Sequence, residues 1–189
     1  YLDGSLEDEV WQQADFRPLR TMNGSYAQSE NEATLVGFAK DQQYLYVAGY
    51  CPKRSGVQYH PPRKQRPRDA DLTGHDRVRI HLDINRDYSS WWSFTFDARG
   101  WTNDGLGDRA GIDLTWNPKY YVASQANEQA WMIEAAIPWD VLAPIRNREG
   151  TYWAVGVERV VPTQSIERWD AGGDGTAAVK DLQGVLHSP

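Results

Sequence analysis

From Arg77 to Ile84 the chain reads RVRIHLDI, with Val78, Ile80, Leu82 and Ile84 alternating with Arg77, Arg79, His81 and Asp83. A period of two marks a strand with one face on a core and the other polar, and it is incompatible with a helix over that stretch. The same kind of pattern predicts strands over 34–39, 44–50, 92–97, 120–126, 131–137 and 152–160. Turn chemistry stands between them at Lys40-Asp41-Gln42, Arg99-Gly100, Asn127-Glu128 and 147–150. Helical signal is confined to 6–14, where one or two turns would dock Val10 and Trp11, and to 139–142 just after Pro138. Many short strands joined by turns predict an all-β fold, an antiparallel two-sheet β-sandwich of jelly-roll-like form with long loops and one or two short helices. The 189 residues suit a single packed domain spanning 1–189, and no internal repeat divides them.

Nine tryptophans, ten tyrosines and four phenylalanines are a heavy aromatic load, enough to fill a β core and line a recognition surface as well. A net charge of −6 opposes general nucleic-acid binding, which needs a basic face. No apolar run reaches the length of a membrane span. The single cysteine, Cys51, cannot form an internal disulfide. The chain opens on Tyr1, and we read it as a processed protein or a domain of a longer one, extracellular or periplasmic.

Three segments exceed what a minimal sandwich needs: 52–72, 101–118 and 162–181. Loops of that length in a compact domain are functional or disordered. The first carries Lys53, Arg54, Arg63, Lys64, Arg66 and Arg68 before its first acid, Asp69. It reads either as a solvated loop or as a clamp in which Arg63 and Arg66 hold the sulfate or carboxylate groups of an anionic polysaccharide. The second is bracketed by Trp101 and Trp116 and followed by Tyr120 and Tyr121; these rings would either stack on sugar faces or fold back over a sandwich edge. Between the predicted strands, Asp83, Asn85 and Asp87 place side-chain oxygens at alternate positions. That is the spacing of a calcium loop, and equally of a polar hairpin connection.

Trp91 and Trp92 cannot both face inward on one strand. Trp92 shares a face with Phe94 and Phe96 and is assigned to the core, whereas Trp91 falls with Ser93, Thr95 and Asp97 on a face expected to meet a groove or solvent.

LDGSLEDEVW (residues 2–11), QYLYVAGYC (43–51), HDRVRIHLDINRD (75–87), WMIEAAIPWDVL (131–142) and YWAVGVERV (152–160) occur in an order that resembles the family 9 carbohydrate-binding modules and their DOMON-like relatives. The resemblance spans nearly the whole chain, and its most specific parts are the opening DG…W and E-A-A-I-P-W-D-x-L. It implies two antiparallel sheets, structural calcium and a sugar-binding groove on one sheet, with two clamping tryptophans and polar side chains that read hydroxyls. It also assigns Trp11, Trp131, Trp139 and Trp153 to structural segments. The chain departs from the family where the clamp tryptophans would stand, at Thr73 and near Ala177–Val179, and Thr95 occupies the place of a sheet arginine.

No G-x-S-x-G, H-E-x-x-H, phosphate loop or cysteine–histidine arrangement supports catalysis, and His60, His75, His81 and His187 lack metal-ligand spacing. The sequence reading is therefore a non-catalytic glycan-binding domain of an exported multidomain bacterial protein. Its ligand residues are Trp91, Thr95, Asp97, Trp101, Trp116, Tyr121, Arg63 and Arg66, and Asp83, Asn85 and Asp87 hold calcium. Two other readings stand beside it: a haem-binding DOMON-like electron-transfer domain, whose ligands are not evident because Met132 lies inside a core strand and Met22 in an early polar segment, and a structural module with no small ligand.

Overall fold

A computed structural model describes residues 2–27, 32–63, 67, 69–83, 89–142, 153–169 and 176–179. Among these residues one short helix, α1 (Glu9–Gln13), precedes thirteen strands. They are β1 (Arg17–Pro18), β2 (Arg20–Thr21), β3 (Leu35–Lys40), β4 (Tyr44–Pro52), β5 (Arg77–Asp83), β6 (Ser90–Asp97) and β7 (Thr102–Asp108). There follow β8 (Gly111–Asp113), β9 (Tyr121–Ala126), β10 (Ala130–Pro138), β11 (Trp153–Val161), β12 (Ser165–Arg168) and β13 (Thr176–Val179). A 3-10 turn over Trp139–Leu142 follows Pro138, as the sequence predicts.

The strands form two antiparallel sheets packed as a sandwich. One runs β1-β3-β4-β10-β9; the other runs β2-β12-β11-β5-β6-β7-β8, with β13 also paired to β11. Alternation sets the core: Val78, Ile80 and Leu82 of β5 and Phe94 and Phe96 of β6 meet Val36, Phe38, Leu45, Val47, Ile133 and Ile137 from the other sheet. Trp92 is half-buried and packs against this core rather than inside it.

The segment 101–118, expected as loop, contains β7 paired to β6 over seven residues. Glycine and aspartate are poor strand formers, which hides TNDGLGD from a propensity reading. What holds it is close approach. A Cβ at Gly107 would stand 2.2 Å from the Trp91 ring, and one at Gly105 would stand 2.6 Å from Ile112 Cγ2, so each glycine is the seat of a neighbouring side chain. Likewise β12 turns part of the segment 162–181 into a sheet strand.

Asp76, which reads as a turn residue in sequence, anchors a buried polar network. Its Oδ1 accepts from Arg159 Nε at 2.9 Å, and its Oδ2 accepts from Arg159 Nη2 at 2.6 Å, Tyr59 Oη at 2.8 Å and Trp131 Nε1 at 3.1 Å. Arg159 has no exposed surface and also donates to Thr34 Oγ1 and to the Pro52 carbonyl. Thr34 in turn donates to Glu167, whose other oxygen pairs with Arg54 Nη2 at 2.7 Å. Lys53 Nζ donates to the Asn127 carbonyl at 2.5 Å. Two cations of the basic segment 53–68 therefore tie that segment to the fold.

Candidate functional site

The polar face of the larger sheet, the one turned away from the core, gathers chemistry from five strands. Cross-strand register aligns Arg168, Glu158, Arg79, Thr95 and Asn103 in one row over β12, β11, β5, β6 and β7. The next row is Gly156, His81, Ser93 and Gly105. Trp91 stands beyond it, opposite Gly107. At the other end the β6–β7 hairpin puts Asp97 beside Trp101, with Asp97 N bonded to the Trp101 carbonyl at 3.1 Å. Trp91 and Asp97 are six steps apart along β6, so the two indoles flank roughly 20 Å of sheet.

Asp97 is buried, with 1% of its surface exposed. The expectation that it faces a groove or solvent is corrected: Arg99 Nε and Nη2 pair with its Oδ2 at 2.7 and 2.5 Å, and the Arg99 and Trp101 amides donate to its Oδ1. The same guanidinium lies 3.7 Å from the Trp101 ring centroid, a cation–π stack that fixes the indole. Thr95 is also buried, with Arg79 Nε 3.4 Å from its hydroxyl. The two-residue period of β6 holds, because these groups lie opposite Phe94 and Phe96. They are covered because guanidinium side chains lie over them.

Charge on this face is unevenly matched. Arg168 holds Glu158 Oε2 through Nε at 2.8 Å and Nη2 at 2.6 Å, whereas Arg79 reaches Glu158 Oε1 only at 3.4 Å. Arg77 Nη1 donates to the carbonyls of Leu72, Thr73 and His75. Burial first, and the Arg79 charge second, push the His81 imidazole down to about 4, so it is neutral at ordinary pH. The His81 and Trp91 rings are 5.9 Å apart, and His81 Nε2 and Trp91 Nε1 are both buried without a hydrogen-bond partner, as is Trp101 Nε1.

The other expected ligand residues separate from this face. Trp116 packs edge-on against Phe94 at 5.7 Å, on the core side of β6. It therefore joins no platform with Trp101, because the sheet stands between them. Tyr121 is 58% exposed, but on the outer face of the smaller sheet, 6.1 Å from Tyr44. Arg63 is exposed and its amide donates to the Arg99 carbonyl at 3.1 Å, which brings it to the Trp101 end of the polar face. Arg66 lies outside the described residues, as do Asn85, Asp87, Lys64 and Arg68. Asp83 is buried at the end of β5. Among the described residues no three His, Cys, Asp or Glu side chains converge as a metal site would require. Met22 is exposed just after β2, whereas Met132 lies half-buried on the outer face of the smaller sheet, away from the polar face.

The sequence reading missed Arg79, His81 and Arg168 as site residues. The signal of Arg79 and His81 was present in the polar half of the β5 alternation, but Glu158, the partner of Arg79, comes from β11, 79 residues away in the chain, and Arg168 stands on β12 inside a segment read as loop.

The sandwich has the fold of family 9 carbohydrate-binding modules. A structure from Caldicellulosiruptor kristjanssonii of such a module in complex with cellotriose superposes with a TM-score of 0.59 over 93% of this chain and 81% of that one, at 16% identity. A second, in complex with glucose, gives 0.60 over 93% and 83%, at 15% identity. A Bacteroides uniformis structure described as a putative carbohydrate-binding protein gives 0.62 over 86% and 79%, at 11% identity. No family model and no curated protein matches the sequence.

Proposed function

We propose that the chain is a non-catalytic glycan-binding domain, with its ligand lying along the polar face of the larger sheet. The observation that carries this reading is the pairing of two indoles, Trp91 and Trp101, at opposite ends of one sheet face whose floor bears guanidinium, hydroxyl, amide and imidazole groups. Aromatic faces stack on sugar C–H bonds while such polar groups read hydroxyls. The likeness in fold to carbohydrate-binding modules supports the same reading. Thr95 and Asp97 act through the guanidinium groups above them. Arg63, with Arg66, extends the site toward anionic polysaccharide.

Asp83, Asn85 and Asp87 would hold a structural calcium ion; their hard oxygens suit it chemically. We place the domain, whose extent is 1–189, in a longer exported chain, extracellular or periplasmic. Among the described residues no helix is long and apolar enough to cross a membrane.

A glycan array with and without calcium tests the reading. The expected result is binding to a defined set of polysaccharides that Trp101→Ala removes without lowering the melting temperature by more than a few degrees. Silence of the whole array, or full binding by Trp101→Ala, contradicts it. A Soret band in the purified protein would redirect it toward haem.

A further inference from the structure

The polar face carries a surplus of guanidinium charge on a chain whose net charge is −6. Arg77 and Arg79 stand two residues apart on β5, and the carboxylate nearest to Arg79, Glu158, is already engaged at 2.6 and 2.8 Å by Arg168. Among the described residues Arg79 makes only two contacts, both at 3.4 Å, to Thr95 Oγ1 and Glu158 Oε1. Among those residues its Nη2 meets no partner, and the side chain is 30% exposed at the centre of the five-strand row. A planar fork with open donors, next to another cation and above a sheet, is a receptor for a planar carboxylate.

His81 is the next residue along the same face, about 7 Å from Arg79 at strand spacing, which is the span of one substituted pyranose ring. Its Nε2 and the neighbouring Trp91 Nε1 are the orphaned polar atoms. An indole N–H only donates and a neutral imidazole nitrogen can accept, so a sugar hydroxyl that parts the two rings would satisfy both covered atoms at once. Gly107 lets the Trp91 ring lie where it meets His81, since any side chain there would displace it.

We propose that this face selects acidic sugars: the carboxylate of a uronic acid residue pairs with Arg79, while His81 Nε2 and Trp91 Nε1 read a hydroxyl of the same ring. The inference rests on the glycan-binding reading and assigns its substrate class. It adds charge recognition on the sheet itself to that proposed for Arg63 and Arg66.

The test is calorimetric titration with matched trisaccharide pairs in the gluco, galacto and manno series, each neutral oligosaccharide against its C6-carboxylated counterpart. At least one uronate should bind tenfold or more tightly than its neutral partner, and the preference should shrink as salt rises. Arg79→Gln should bring the two members of that pair to equal affinity, and Arg79→Lys should keep part of the preference. His81→Phe should weaken both members by a similar factor and leave their ratio unchanged. Neutral members binding as tightly as uronates, or a preference that survives Arg79→Gln in a variant with wild-type melting temperature, overturns this inference and leaves glycan binding standing. Absence of binding across all three pairs and the full array overturns the functional reading itself.

Discussion

Glu134 holds Trp11 across the outer face of the smaller sheet: its Oε1 accepts from the indole Nε1 at 2.5 Å, while its Oε2 accepts from the Gly4 amide at 2.6 Å and the Asp3 amide at 3.1 Å. The two most specific motifs of the sequence, the opening DG…W and the E-A-A-I-P-W-D-x-L segment, are therefore two halves of one device. It straps the N-terminus over small residues of the sheet, Ala39 and Ala48, with Phe16 packed edge-on to Trp11. Gly4 is required twice over. Its φ is +86°, and a Cβ there would stand 2.5 Å from the Ser124 carbonyl carbon.

Removing the strap's anchor should be expensive. Glu134→Ala leaves two amides and an indole N–H without their acceptor, a loss of about 3 kcal/mol. Gly4→Ala should destabilise through both strain and clash. Urea denaturation checks both, and a Glu134→Ala loss of less than about 1 kcal/mol would mean that the strap adds little to stability.

The second stability test lies in the core. Asp76→Ala strands the Arg159 guanidinium with no exposed surface and no carboxylate partner, at a loss of about 3–5 kcal/mol. Asp76→Asn keeps an acceptor and should lose less. Equal urea midpoints for the two variants would contradict the assignment of the ion pair as the reason for the loss.

Much of this fold is legible in the sequence because alternation records the sandwich directly. The strands at 77–84 and 131–137 emerge within two residues of expectation. What stays hidden depends on partners far along the chain. Asp76 looks like a turn residue until Arg159 is brought beside it, and TNDGLGD looks like a loop until Trp91 and Ile112 are seen lying on its glycines. The site is less legible still. Period two puts Trp91, Thr95 and Asp97 on one face, but it does not say that Arg99 folds back onto Asp97, or that Trp116 turns to the core side.

His81 predicts a pH dependence of stability. Its folded pKa, pushed to about 4 by burial and then by Arg79, lies below the unfolded value of 6.5. Between those values the unfolded chain binds the proton and the folded chain does not, so stability is full above about 6.5 and declines as pH falls toward 4, by on the order of 3 kcal/mol. His81→Phe should remove that part of the decline in melting temperature between pH 7 and pH 4. An identical decline in the variant would show that other groups carry it.

Calcium is checked by chelation. If Asp83, Asn85 and Asp87 bind the ion, excess chelator lowers the melting temperature by RT ln(1 + [Ca]/Kd) worth of stability, and Asp87→Ala abolishes the sensitivity. Unchanged melting in chelator removes the ion from the account.

The location of the ligand is tested most directly by the indole N–H resonances of the nine tryptophans, followed during titration with the tightest-binding glycan of the array. The signals of Trp91 and Trp101 should shift in proportion to occupancy, while those of Trp11 and Trp131, held by Glu134 and Asp76, stay in place. Shifts confined to other tryptophans, with Trp91 and Trp101 unmoved at saturation, would show that the polar face of the larger sheet is not the binding surface.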